Sequence, residues 1–162
     1  MRSRRYLERF APRILSKRKT FESVDMGLYL CVMDGEDELD GVDVGAYSDF
    51  AHFRDTVTQV IEGGTRGAKF PILMFHSDCD GGWKGPECEL LESELLAITF
   101  ALKGLPVMPF PAVWQQKISK QLGLQPENLY DCFIDVDGEP LLERLIGLVK
   151  SAQRHELPIV FQ

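Results

Sequence analysis

GLYLCVMDGEDELDGVDVG, residues Gly27 to Gly45, sets the fold, because its second half can be read in two ways. GLYLCVM (27–33) is a short continuous apolar run, the pattern of a strand buried on both faces. DGEDELDGVDVG (34–45) follows with three glycines and six acids. That composition reads as a solvated loop leaving the strand's carboxyl end.

Working outward, Ser48 and Asp49 are placed to cap a helix with Phe50, Phe53, Val57, Val60 and Ile61 on its apolar face, ending at Gly63-Gly64. FPILMFH (70–76) reads as a second buried strand, followed by the polar loop HSDCDGGWKG. Pro86 then opens a helix that runs to Gly104, and AVWQQKISKQLG (112–123) gives a shorter one. LYDCFIDV (129–136) reads as a strand, 138–156 as a helix and LPIVF (157–161) as a final strand. The expected class is therefore α/β, or α+β, with about four strands in a largely parallel or mixed sheet alternating with about four helices.

Sites in open α/β sheets gather beyond the carboxyl ends of the strands. On this reading three acidic loops meet there: 34–45, HSDCDGGW (76–83) and DVDGE (135–139). Asp34, Glu36, Asp37, Glu38 and Asp40 would steer a partner, and His76, Asp78, Asp80 and Trp83 would make the specific contact. Trp83 is expected to anchor an interface, because a large aromatic in a glycine-rich polar loop needs something to pack on. Trp114, on a stripe with Val113 and Ile118, is expected in the core. The alternatives are a small metal-dependent hydrolase in which His76, Asp78, Asp80 and Asp135 bind a hard cation that activates water, or a regulatory protein-interaction module.

Other chemistries fit less well. FIDVDG has the form of the haloacid-dehalogenase phosphatase signature, with Asp135 as nucleophile and Asp137 as acid. Only 24 residues follow Gly138, too few for the strands that signature requires downstream. An EF-hand fails because the glycine of DVDGE comes too early. There is no nucleophile elbow and no phosphate-binding glycine loop.

Charge divides the chain. Residues 1–25 hold eight Lys/Arg and three Asp/Glu, a balance of +5; the total of −7 leaves −12 for residues 26–162. Residues 1–25 thus read as a basic N-terminal extension and 26–162 as a single domain. So acidic a body argues against nucleic acid and suits a basic protein partner. No apolar stretch is long enough to span a membrane. Cys31, Cys79, Cys88 and Cys132 form no CxxC pair, as expected of reduced thiols in a cytoplasmic chain.

From about Met26 to Gln162 the sequence resembles the immunity protein 70 family of bacterial polymorphic toxin systems. The resemblance rests on GLYLCVMDG, FPILMFHSDCDGGW, LYDCFIDVDGEPLLERL and the closing LPIVFQ. It implies a protein without catalytic residues or cofactor that binds and blocks a cognate toxin domain.

Overall fold

The structure, a computed structural model, describes residues 27–78 and 81–162. The basic extension expected at 1–25, and Cys79 and Asp80 of the polar loop, lie outside the described residues. Strand β1 (Gly27–Asp34) turns directly into β2 (Asp37–Ala46), and α1 (Tyr47–Val60) follows without a linker. Then come α2 (Pro71–Phe75), a two-residue strand β3 (Gly82–Trp83), and the long α3 (Gly85–Lys103). A shorter α4 (Val113–Leu122), a 3-10 turn (Leu129–Cys132), α5 (Leu141–His155) and β4 (Ile159–Phe161) complete the chain.

The sheet has the order β2-β1-β4-β3, and each pair is antiparallel. The class is therefore α+β, which corrects the expectation of a largely parallel or mixed sheet. The reason lies in the opening stretch. Asp34 pairs with Asp37 across a two-residue turn in which Gly35 takes φ +62°, so the strand doubles back instead of crossing over. In the acidic half, Val42 and Val44 are buried and alternate with half-buried Asp43, a strand period hidden among carboxylates. β2 lies at the sheet edge, where exposed acids also deter pairing with other chains.

Two further expected strands are absent. FPILMF forms α2, with Pro71 at a first-turn position where its missing N–H costs nothing. The Glu94 carboxylate of α3 accepts from the next two backbone donors, Ile72 (3.0 Å) and Leu73 (2.8 Å). LYDCFIDV forms the 3-10 turn, with the Asn128 side chain accepting from Asp131 N, and then a single bridge, Ile134 to Pro140.

The four helices expected from periodicity appear as α1, α3, α4 and α5. Leu28, Leu30 and Val32 of β1 face the core with Val42, Val44, Ile159 and Phe161. α5 packs on β2, β1 and β4, α1 packs on β2 and β1, and α3 lies against α5, α2 and the 3-10 turn. At the far edge β3 needs glycine: a Cβ on Gly82 would collide with the Ile159 carbonyl oxygen.

Candidate functional site

The antiparallel sheet separates the residues that a parallel one would have gathered. Asp34, Glu36, Asp37 and Glu38 are exposed around the β1–β2 turn, at one end of the sheet. Asp40 is half-buried, 3.8 Å from Arg144 of α5. Glu38 also accepts a short hydrogen bond from the Tyr29 hydroxyl. Burial, with that bond and the negative charge behind it, raises the Tyr29 pKa above its ordinary value. Neighbouring Cys31 is pushed up to about 11, by burial first and Glu38 second.

The His76 loop occupies another place. Gly81 accepts from Phe161 N, which aligns it with Leu30, roughly 13 Å before Asp34 along β1 at ~3.3 Å per residue. The imidazole of His76 stacks on Phe161 (4.3 Å) and sits 5.0 Å from Trp83, and its Nδ1 contacts the Ser77 carbonyl. Trp83 is only 2% exposed, and its indole N–H donates to Ile72 O at 3.2 Å. It is a core residue that supports His76 from below, whereas a loop tryptophan was expected to face a partner.

Arg54 of α1 holds this loop. Its guanidinium is buried, lies over Phe50 (4.6 Å), and donates to the carbonyls of His76 (2.9 Å) and Leu73 (3.4 Å) and to Asp78 (3.3 Å). Burial lowers its pKa, with Arg66 adding to the effect and Asp78 and Asp55 opposing it. Asp78 is thus tied to an internal cation. Sequence reasoning passed over Arg54, although one cation inside the apolar face FAHFRDTVTQV was the available signal.

Asp135 lies across the sheet. Its carboxylate is 2% exposed, accepts from Asp137 N and Glu139 N (both 2.9 Å) and meets Arg144 Nε at 3.5 Å. Burial raises its pKa, only partly offset by those N–H groups and Arg144. Val136 N donates to Asp43 O, which fixes this turn against the outer edge of β2. His76, whose ring stacks on Phe161 of β4, is therefore at least two interstrand spacings away, about 10 Å. Among the described residues no three His, Cys, Asp or Glu side chains come close enough to share a metal ion. Asp135 closes a structural turn instead.

Elsewhere, an open cleft of about 440 Å³ lies between the first turns of α1 and α4, lined by Ser48, Asp49, Val113, Trp114 and Lys117. Trp114 is half-buried there and donates to Asp49 (3.0 Å). Cys31, Cys88 and Cys132 are free and buried. Among the described residues no helix is long and apolar enough to cross a membrane.

Among the described residues the exposed surface includes the acidic hairpin tip and the outward side of α3. The latter exposes Leu90, Leu96 and Phe100. The sequence signal for it was an excess of apolar residues in CELLESELLAITFALK, more than one buried stripe can use.

No curated protein and no solved structure shows significant similarity to the chain. The model of one family, immunity protein 70, matches residues 28–161, from the first buried leucine of β1 to the last residue of β4, and the chain belongs to that family.

Proposed function

We propose that this protein binds and neutralises a cognate toxin domain in the cytoplasm, without catalysing a reaction, and that its acidic hairpin tip steers a basic toxin face. Membership of an immunity-protein family supports the role in a toxin system. The observation behind the finer reading is the tip itself, four exposed carboxylates within five residues (Asp34, Glu36, Asp37, Glu38) at a two-residue turn. Such a field speeds association with a basic surface and disfavours acidic partners such as nucleic acid or an anionic membrane. His76 and the half-buried Asp78 flank the opposite end of β3 and are secondary candidates for contact.

The test is the combined variant D34K/E36K/D37K, which keeps the Glu38–Tyr29 hydrogen bond, titrated against the toxin domain at two salt concentrations. The expected result is an association rate at least ~10-fold lower, a weaker salt dependence and an unchanged melting temperature. Unchanged association kinetics would refute the steering role.

A further inference from the structure

Helix α3 buries Cys88, Leu91, Leu95, Ile98 and Leu102. Its other side leaves Leu90 55%, Leu96 50% and Phe100 85% exposed. Leu96 and Phe100 are one turn apart, so their side chains are neighbours. Single exposed apolar residues, such as Leu90 about 15 Å nearer the helix start, are ordinary on any surface, but a nearly bare phenylalanine one turn from a half-bare leucine is a pair of the kind that marks an interface.

Charge indicates what covers it. Glu87 and Glu89 are exposed and Glu92 half-buried on the same helix, whose one cation is Lys103 at its end. With Glu94, the helix carries −3. A second copy would press this acidic surface against itself; a basic partner would be drawn to it. β3 and β1 both run antiparallel to β4 and therefore advance toward the same end, so α3 begins at the end where the acidic tip projects, and Leu96 and Phe100 lie about 16 and 22 Å further along the helix.

We propose that the outer side of α3, with Phe100 and Leu96 as its apolar centre and Glu89 and Glu92 as its acidic border toward the helix start, is the anchoring surface for the toxin, which presents an apolar pocket bordered by Lys or Arg. This rests on the immunity reading and divides the labour within it. The tip accelerates encounter, and the α3 ridge, as a desolvated aromatic centre, slows release.

The probe is the toxin domain that co-purifies with the tagged wild-type chain, expressed separately in a catalytically inactivated form. Binding is measured for wild type, F100A, the pair L96S/F100D, and F75S, which alters an exposed aromatic on α2. Helicity and melting temperature are recorded for each. The expected result is a Kd raised at least ~30-fold for L96S/F100D and ~10-fold for F100A, mostly through faster dissociation, with F75S within ~3-fold. Wild-type binding with both α3 variants within ~3-fold would overturn the α3 assignment and leave the immunity reading standing. A tagged wild-type chain with which no toxin domain co-purifies would overturn both. Self-association lost in L96S/F100D with toxin affinity intact would overturn it in favour of a second copy.

Discussion

Arg144 and Asp135 meet at 3.5 Å between Nε and Oδ2, and through this pair α5 is fastened to the outer edge of the sheet. The same guanidinium donates to Gly41 O (2.7 Å) and lies 3.8 Å from Asp40, so one side chain joins the DVDGE turn to the acidic hairpin. Replacing Arg144 with alanine leaves a buried carboxylate without its ion pair. The expected cost is ~2–3 kcal/mol, below the full value for a buried pair because Arg144 itself is partly exposed. Burial already raises the Asp135 pKa, so this group favours the fold at low pH and that contribution fades as pH rises through its folded value. Loss of Arg144 raises it further. Urea unfolding should therefore show a larger deficit at pH 7 than at pH 4; equal deficits would count against the pairing.

Glu62 gives the opposite sign. Burial works against its charge, but N–H donors from Lys69, Phe70 and Gly67, with the Thr58 hydroxyl, outweigh this and lower its pKa. A depressed carboxylate stabilises the fold above its unfolded pKa and loses that contribution as pH falls through the folded one. Glu62→Gln should cost ~1–3 kcal/mol at neutral pH, with the gap to wild type narrowing in acid. Thermal melts between pH 3 and pH 7 measure it.

Arg54→Met removes the donors that close the loop after α2. A cost of ~3 kcal/mol is expected, since three acceptors lose their buried partner. Hydrogen exchange should accelerate in residues 71–78 more than in α5. Uniform acceleration would mean that Arg54 serves global stability alone.

Trp83→Ala is a test of the fold. Its indole packs against Phe161 at 4.7 Å inside the core, so truncation should cost ~3–5 kcal/mol. Toxin affinity, corrected for the folded fraction, should change far less than in the α3 variants. Isothermal titration below the melting temperature of the variant separates the two effects.

Helices and two of the strands were legible because each carried a long or unambiguous signal. α1 and α5 show apolar residues at helical spacing with acceptable ends, and GLYLCVM and LPIVF are apolar runs too short for helices. What escaped was decided by partners distant in sequence. FPILMF satisfies a strand as well as a helix, and Glu94, over twenty residues on, caps it as a helix. β2 was concealed because its outward positions are acids, and only Val42 and Val44 report its period. Once β2 was read as a loop, a parallel sheet followed, and with it the false convergence of His76 with Asp135.

The site was less legible than the fold for a related reason. Residues with chemical character, His76, Asp78, Asp135 and Trp83, drew attention, yet the structure engages each of them in holding the chain together. The exposed ridge on α3 consists of residues whose types normally signal core, and only burial distinguishes Phe100 from Ile98.

The central claim is tested most directly by purifying the tagged protein from its native cells, identifying its stoichiometric partner by mass spectrometry, and expressing that partner in a naive host with and without this chain. The account predicts a partner whose C-terminal domain is basic and stops growth, and full rescue when this chain is co-expressed at an equal level. A partner that is harmless alone, or a toxic one that this chain fails to silence, would contradict it.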